Sequence, residues 1–205
     1  MSAEEVEKLL DFSSYYQLQD LAVPVSQSER LRAMVREGVI VRKYGEYYIT
    51  NLGALLFARR MNDFDVLLNK NVRLIRYQGT DKLGVQQALE GTMGYAVGIE
   101  NLLDYTMVML PSEEYLHGGT RKIRQVFLRE AIRELMANML IHQDLSVVGY
   151  SPRVEIYENR VEFSNPGEPI IAVDRFLSSN QSRNPRLAKL MRQMKLCEER
   201  GMVWT

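Results

Sequence analysis

The strongest constraint on the fold is an alternating segment at residues 151–169, SPRVEIYENRVEFSNPGEP. Its apolar positions alternate with charged or polar ones on both sides of a turn at residues 158–160, and they are Val154, Ile156, Val161 and Phe163. This alternation predicts a β-hairpin with one buried and one solvated face. The second strand runs into Ser164-Asn165-Pro166-Gly167, which predicts a turn. Because helical patterns flank the hairpin, we expect an α/β (α+β) fold in which helices cover a mixed sheet.

Composition limits the possible functions. The chain has 205 residues, of which 46% are hydrophobic and 25% charged, as in an ordinary globular protein. Its 26 basic and 26 acidic residues cancel, so any binding to nucleic acid or an anionic membrane must be local. The single cysteine, Cys197, excludes an internal disulfide and a multi-cysteine zinc site. No apolar run approaches the roughly 18 residues of a membrane span, and the start lacks the basic segment of a signal peptide, so we expect a cytoplasmic protein without membrane contact.

The N-terminal segment predicts helices followed by a hairpin. Short helices are expected over 3–10 and 13–22, and a third in SQSERLRAMVREG, with Ser26 or Ser28 as N-cap and Gly38 as its end. VIVRKYGEYYIT predicts a hairpin around the turn at residues 44–46. This is the winged-helix pattern, which often binds DNA. Residues 1–50 nevertheless carry six basic and eight acidic side chains, so a helical packing module is the commoner explanation.

The middle of the chain is less distinctive. NLGALLFARR predicts a helix, and NVRLIRYQGT predicts a strand that ends at Gly79. Residues 81–110 are expected to form one long or broken helix, and PSEEYLHGGTRK a loop before a helix that begins at about residue 126. The glycines of residues 81–110 lack the spacing of a nucleotide-binding loop and are interpreted as close-packing positions: Gly84, Gly91, Gly94 and Gly98.

A polar stripe follows the predicted helix REAIRELMANMLIHQDLS, residues 129–146. Glu134, Asn138 and His142 recur at four-residue steps after Glu130, which places them on one side of the helix. They border an apolar face made of Ile132, Leu135, Met136, Met139 and Leu140. We expect Asn138 and His142 to be partly shielded from water.

The stripe has two explanations. A side-chain amide can bind Mg²⁺, and a carboxylate one turn earlier can orient or deprotonate a water. An exposed hydrogen bond between residues four apart is the commoner explanation of Glu134 and Asn138. For His142, packing or capping near the helix end is commoner than ligand binding or acid–base chemistry. Asp144 is interpreted as a turn residue.

The last predicted helix, NPRLAKLMRQMKL, has Asn184 as N-cap and Pro185 at its first position. Its apolar side comprises Leu187, Leu190, Met191 and Met194. Basic residues occupy the other side and, with Arg183, are candidates for nucleic-acid binding: Arg186, Lys189, Arg192 and Lys195. A solvated face over a core is the commoner explanation of such a helix.

Several segments in this order resemble a known family. AIRELMANMLIHQDLS, VEIYENRVEFSNPGEP and SRNPRLAKLMRQMKLCEERG resemble the GHKL (Bergerat) ATP-binding fold of gyrase, MutL-like and histidine-kinase ATPase domains. With YYITNLGALLFA, VRLIRYQGT and GYAVGIENLLDY upstream, the chain is similar, over most of residues 8–201, to the C-terminal region of bacterial and archaeal transcriptional regulators labelled RecG-like ATP-dependent helicases. The resemblance implies a GHKL-like α/β region over 53–205 after a winged-helix-like segment over 1–52. In that family an AlbA-type (Schlafen-like) putative DNA-binding domain commonly comes first.

The resemblance also implies roles for particular residues. Asn138 would hold the Mg²⁺ that bridges the ATP phosphates, Glu134 would be the base that activates water, and His142 is a further candidate in the cofactor site. Asn165 stands where the family has the aspartate that reads adenine, and as a neutral residue it puts adenine selectivity in doubt. Gly167 would keep the close backbone approach. Arg183 and Asn184 would lie in or near the lid over the phosphates.

These residues predict an ATP-binding regulatory module of a transcriptional regulator, at most a weak ATPase. It is not a helicase motor, because the chain has no P-loop. The alternatives are a nucleic-acid-binding regulator without nucleotide and a structural or oligomerisation remnant. The sequence ends at EERGMVWT, where the family continues. We therefore expect either a fragment or a degenerate member, whose exposed strand edges favour a homo-oligomer.

Overall fold

The structure, a computed structural model, describes residues 1–118, 120–170 and 182–197. Its helices are α1 (Ala3–Leu9), α2 (Ser13–Gln17), α3 (Gln27–Arg36), α4 (Asn51–Phe57), α5 (Tyr95–Met109), α6 (Arg129–His142) and α7 (Pro185–Gln193), with 3-10 helices at Met61–Asp63 and Asp65–Leu67. Its strands are β1 (Ile40–Lys43), β2 (Glu46–Ile49), β3 (Arg73–Tyr77), β4 (Val85–Glu90), β5 (Ser112–His117), β6 (Thr120–Gln125), β7 (Arg153–Ile156) and β8 (Val161–Ser164). This mixed α+β architecture with a mixed sheet confirms the predicted fold class.

The central sheet has the strand order β4-β3-β7-β8. β3 is parallel to β7, whereas β4 and β8 run antiparallel to their neighbours. Leu74, Val154 and Ile156 face the helices and are almost completely buried. The alternate positions, with Ile75, Tyr77 and the adjoining Tyr157, form a small cluster on the other face. The predicted β7-β8 hairpin is therefore confirmed.

One hydrophobic core joins residues on both sides of the predicted boundary at residue 52. The helices α1, α3, α4, α5, α6 and α7 all contribute buried side chains to it, for example Val6, Leu31, Leu56, Ile99, Met136 and Met191. The division into 1–52 and 53–205 stays a prediction. No helix in the described ranges combines the length and apolarity that crossing a membrane requires.

The N-terminal helices and hairpin form as predicted, with shorter bounds. α2 ends at Gln17, and Asp20 has a φ of +57°. Ser26 occupies the N-cap position of α3, and Gly38, with a φ of +70°, follows that helix. β1 and β2 pair across Tyr44 and Gly45, both with positive φ, as a two-residue hairpin turn requires. The winged-helix interpretation of this segment stays a prediction.

The prediction of one long or broken helix over residues 81–110 is confirmed for α5 and was wrong for the residues before it. Val85–Glu90 forms β4, which pairs with β3, and α5 begins only at Tyr95. β4 is an edge strand with almost wholly exposed side chains, so it lacks the alternating pattern of a half-buried strand. Gly94 is a close-packing position, since a Cβ there would lie 2.6 Å from the backbone of Leu56.

The prediction of a loop at PSEEYLHGGTRK was also wrong. β5 and β6 pair antiparallel through a turn that includes Gly118, with a φ of +60°. A glycine pair between two short strands is a known hairpin signal, and it was the informative feature of this segment. α6 accordingly begins at Arg129, three residues later than expected.

The buried face of α6 differs from the predicted one at three positions. Four predicted core residues are buried: Ile132, Met136, Met139 and Leu140. Leu135 is 48% exposed, and Ala137 and Ile141 are buried instead. Asn138 is half-buried as expected, whereas His142 is exposed over much of its surface and only part of its ring is buried. The helix packs against α5, α7 and β8. Because these elements lie on more than one side of α6, its buried face is wider than the predicted stripe and includes Ala137 and Ile141.

Candidate functional site

The middle of α6 holds the predicted carboxylate and amide side by side. Glu134 and Asn138 are both half-buried, and Nδ2 of Asn138 donates a hydrogen bond of 3.0 Å to Oε1 of Glu134. A four-residue step in a helix brings such side chains together. Because the amide nitrogen is held by the carboxylate, Oδ1 of Asn138 is the atom left to accept a hydrogen bond or bind a cation.

A second group of polar residues lies just beyond the end of α6, centred on Asp144. Its carboxylate accepts hydrogen bonds from the backbone N and Oγ of Ser146, at 2.9 and 2.6 Å, and from Nη1 of Arg183 at 2.8 Å. Its backbone N–H donates to the carbonyl of Pro166 at 2.8 Å. Asp144 is thus a turn residue, as predicted, and it also joins the turn after β8 to the residues before α7.

Two pKa values at this end of α6 are shifted. The pKa of Asp144 is lowered, first by the hydrogen bonds from Ser146, against a smaller opposing effect of burial, and also by the charge of Arg183. The pKa of His142 is lowered by partial burial of its ring and by the charge of Arg183. Both shifts favour a carboxylate and a neutral imidazole near neutral pH.

The turn after β8 approaches Asp144 closely. Gly167 has a φ of +105°, and a Cβ there would lie 2.5 Å from Cβ of Asp144. Gly167 therefore permits the close approach of this turn to Asp144. The group that it accommodates in this structure is a protein residue and not a ligand. Asn165 is half-buried, and its Nδ2 makes only a long 3.4 Å hydrogen bond to the carbonyl of Pro166. Its side chain is therefore weakly held.

Asn184 and Arg183 are both bonded to protein groups. Nδ2 of Asn184 donates to the carbonyls of Ile141 and Gln143, at 2.8 and 2.7 Å. Asn184 occupies the N-cap position of α7 as predicted. Its side chain, however, bonds to these carbonyls at the end of α6 and makes no capping hydrogen bond to α7. Arg183 donates to the carbonyl of Glu168 in addition to Asp144.

The basic residues in and just after α7 differ from these groups in their exposure to solvent. Arg186, Lys189 and Arg192 are exposed, as is Lys195, whose Nζ lies 2.5 Å from Oδ2 of Asp20. The predicted apolar side of the helix is buried. Arg183 is half-buried in its ion pair with Asp144, so the structure leaves four of the five nucleic-acid candidates exposed and one half-buried.

The candidate residues therefore form two groups along α6. Glu134 and Asn138 lie in the middle of the helix, and the contacts of Asp144 with Gly167 and Arg183 begin about 6 to 9 Å further along its axis, at about 1.5 Å per residue. The sequence analysis assigned Asp144 no function beyond its turn, although Asp-x-Ser is the signature of the turn in which Ser146 bonds to it.

The structure is a mixed α+β protein with a polar stripe on α6. Comparison with known proteins indicates which protein families have a similar sequence or fold. Residues 149–202 match the family model described as "Putative ATP-dependent DNA helicase recG C-terminal". The matched stretch, which includes β7, β8 and α7, is thus similar to a RecG-related, HATPase-type region. No curated protein was found to match the chain.

A solved structure supports the same fold across the chain. The crystal structure of the DIP2311 protein from Corynebacterium diphtheriae superposes with a TM-score of 0.72 at 19% identity, and the match covers 96% of this chain and 38% of that protein. At this identity the likeness shows the fold alone. The present chain spans little more than a third of that protein's length.

Proposed function

We propose that this chain is an ATP-binding regulatory module of a transcriptional regulator, with at most weak ATPase activity. The observation that carries the proposal is the half-buried pair on α6, in which Glu134 holds the amide nitrogen of Asn138 and leaves its oxygen for a cation. The match of residues 149–202 to an ATP-dependent family supports it, because this region follows α6 and packs against it through β8 and α7.

The residues on α6 fit a nucleotide-bound magnesium ion better than a free one. The described ranges contain no group of three or more His, Cys, Asp or Glu side chains that could hold a metal ion. Mg²⁺ commonly takes few protein ligands and completes its shell with phosphate oxygens and water. Bound ATP would supply those oxygens and a phosphoanhydride bond to cleave. Asn138 would bind the ion, and Glu134 would orient or deprotonate a water.

The other predicted cofactor residues contribute less in this arrangement. His142 is exposed, and Asn165 is weakly held, so both side chains are available to a nucleotide. Arg183 and Asn184 would have to leave their bonds to Asp144 and to the end of α6 before they could contact phosphate. We therefore assign nucleotide binding first to Glu134 and Asn138.

The test is isothermal titration calorimetry with Mg-ADP and a non-hydrolysable ATP analogue. We expect saturable binding that Asn138→Ala weakens at least about tenfold, or about 1.4 kcal/mol, and that chelation of Mg²⁺ also weakens. Glu134→Gln is expected to keep binding and to abolish any ATP hydrolysis. Glu130→Gln, an exposed residue one turn earlier on α6, is the matched control and should bind like the parent chain.

Two results would contradict this proposal. One is the absence of binding heat with either nucleotide. The other is binding that Asn138→Ala and Glu130→Gln affect equally, because the nucleotide would then lie elsewhere.

A second candidate function is nucleic-acid binding through α7. It is favoured by the exposure of Arg186, Lys189 and Arg192 on a helix that has no acidic residue. Anisotropy of a labelled DNA duplex at several salt concentrations would test it. If Lys189 and Arg192 each bind a phosphate, Lys189→Gln or Arg192→Gln should reduce the log–log salt slope by about 0.9. Arg60→Gln, an exposed arginine outside α7, should leave the slope unchanged.

A further inference from the structure

A pocket of about 380 Å³ lies between α4, the segment that precedes β3, the connection after α6, and the start of α7. Its lining includes the apolar side chains of Leu52, Leu55, Leu67 and Leu187. Glu134 and Asn138, to which nucleotide binding was first assigned, do not line it, whereas the lid candidates Arg183 and Asn184 do. Pockets of this size between the segments of a fold are typical binding sites for small molecules.

Lys70 brings a buried positive charge to this pocket. The residue is 4% exposed, and its Nζ donates one hydrogen bond of 2.7 Å, to the carbonyl of Val147. An ammonium group has three donors, and within the described ranges only this acceptor is bonded to it. Burial lowers the pKa of Lys70, and the charge of Asp144 opposes this only from beyond ion-pair distance, because the Asp144 carboxylate is bonded to Ser146 and Arg183. A buried charge with unused donors favours an anionic partner.

Arg186 lies at the rim of the same pocket. Its guanidinium group packs against the backbone of Gly38, where a Cβ would come within 2.1 Å of Nη2. Among the residues that the structure describes, no hydrogen bond or ion pair involves the Arg186 side chain. Its planar donors suit an oxyanion in two-point contact.

The start of α7 adds backbone donors to these two cations. Pro185, Arg186 and Leu187 line the pocket. Pro185 has no N–H, so the donors are the backbone N–H groups of Arg186 and Leu187, which have no partner within the helix. Asn184 does not cap them, because its amide is bonded to the end of α6. The positive end of the nine-residue helix therefore faces the same space as Lys70 and Arg186.

We propose that this pocket binds a small organic anion that has an oxyanion head on a short apolar body. Lys70, Arg186 and the first turn of α7 would hold the oxyanion, and the leucine side chains would contact the apolar body. Arg183 also lines the pocket, but its charge is already compensated by Asp144. The pocket joins α4 to α7 across the predicted boundary at residue 52, so its occupancy would affect how those segments pack.

The test is calorimetric titration of the full chain, at constant ionic strength, with hexanoate, hexyl phosphate and hexanol. We expect saturable binding of at least one anion and at least tenfold weaker binding of hexanol. The anion that binds more tightly identifies the head group as carboxylate or phosphate. Lys70→Met and Arg186→Gln should each weaken anion binding about tenfold or more. Lys189→Gln, one turn further along α7 and outside the pocket, should not change it.

Four outcomes would overturn the proposal. They are no saturable binding of either anion, equal binding of hexanol, equal effects of Lys189→Gln and Arg186→Gln, and loss of anion binding in Asn138→Ala with competition by nucleotide. The last would make the pocket part of the nucleotide site. Because Arg186 is exposed, its variant carries the test if Lys70→Met fails to fold. Failure of nucleotide binding alone would leave this proposal standing.

Discussion

Asn184 provides the sharpest test of whether a predicted cofactor residue has a structural role. Its side-chain amide donates to the carbonyls of Ile141 and Gln143, at 2.8 and 2.7 Å, across more than 40 positions of sequence. Ile141 is 4% exposed and Gln143 is completely buried, so water reaches these groups poorly. Asn184→Ala would therefore leave two carbonyls at the end of α6 without their donor.

The magnitude follows from those two bonds. A net hydrogen bond contributes about 0.5–1.5 kcal/mol, and a buried polar group left without a partner costs about 1–3 kcal/mol. Because Asn184 is half-buried, some water would replace its amide in the variant. We expect Asn184→Ala to lower the free energy of unfolding by about 2–3 kcal/mol. For a chain of this size, that corresponds to a fall of about 5–10 °C in Tm.

Urea denaturation without any ligand, followed by circular dichroism, measures this difference. The midpoint should fall while the m-value stays constant, since the surface exposed on unfolding is unchanged. Asn165→Ala is the matched control, because its amide makes only the long bond to Pro166, and a change within about 0.5 kcal/mol is expected. If the two variants are equally stable, the amide of Asn184 does not support the end of α6, and our reasoning is wrong.

Two further predictions concern stability. Gly167→Ala should destabilise the fold by about 2 kcal/mol or more in thermal unfolding, because a positive φ of +105° and a close neighbour both oppose a Cβ; Gly149→Ala, also at positive φ but with open space around it, should cost less. Burial alone would raise the pKa of Glu155, but the hydrogen bonds from Lys82 and Tyr77 outweigh burial and lower this pKa below its usual value of 4.5. Glu155 should therefore contribute stability above pH 4.5 that is lost as the pH falls through its folded pKa. Glu155→Gln should be less stable at pH 7 and should lose less stability between pH 5 and pH 3; equal pH slopes in the two proteins would contradict this.

Local patterns predicted the elements whose signals lie within a few residues. Alternation predicted the β7-β8 hairpin, and it placed Val154 and Ile156 in the core. Val161 and Phe163 share their face but are only half-buried, because β8 is at the edge of the described sheet. Helical spacing likewise predicted that Glu134 and Asn138 would be neighbours, and they are joined at 3.0 Å.

Elements that depend on a distant partner were not predictable in this way. β4 is stabilised by pairing with β3, and its own exposed side chains give no alternating signal. The contacts of Arg183 with Asp144 and of Asn184 with Ile141 join residues about 40 positions apart. No spacing rule links such residues, so the sequence analysis could assign them to a lid but could not find their partners.

The basic residues discussed above differ in whether a carboxylate already pairs with them. Arg183 is compensated by Asp144, and Lys195 lies beside Asp20, so ligand binding by either would first cost an existing ion pair. Lys70 and Arg186 have no carboxylate within ion-pair distance among the described residues, so an anion could bind them without that cost. In a chain whose formal net charge is zero, attraction of anions must come from such local imbalance. This is why we place the anion pocket at Lys70 and Arg186, although the family resemblance had implied a phosphate contact for Arg183.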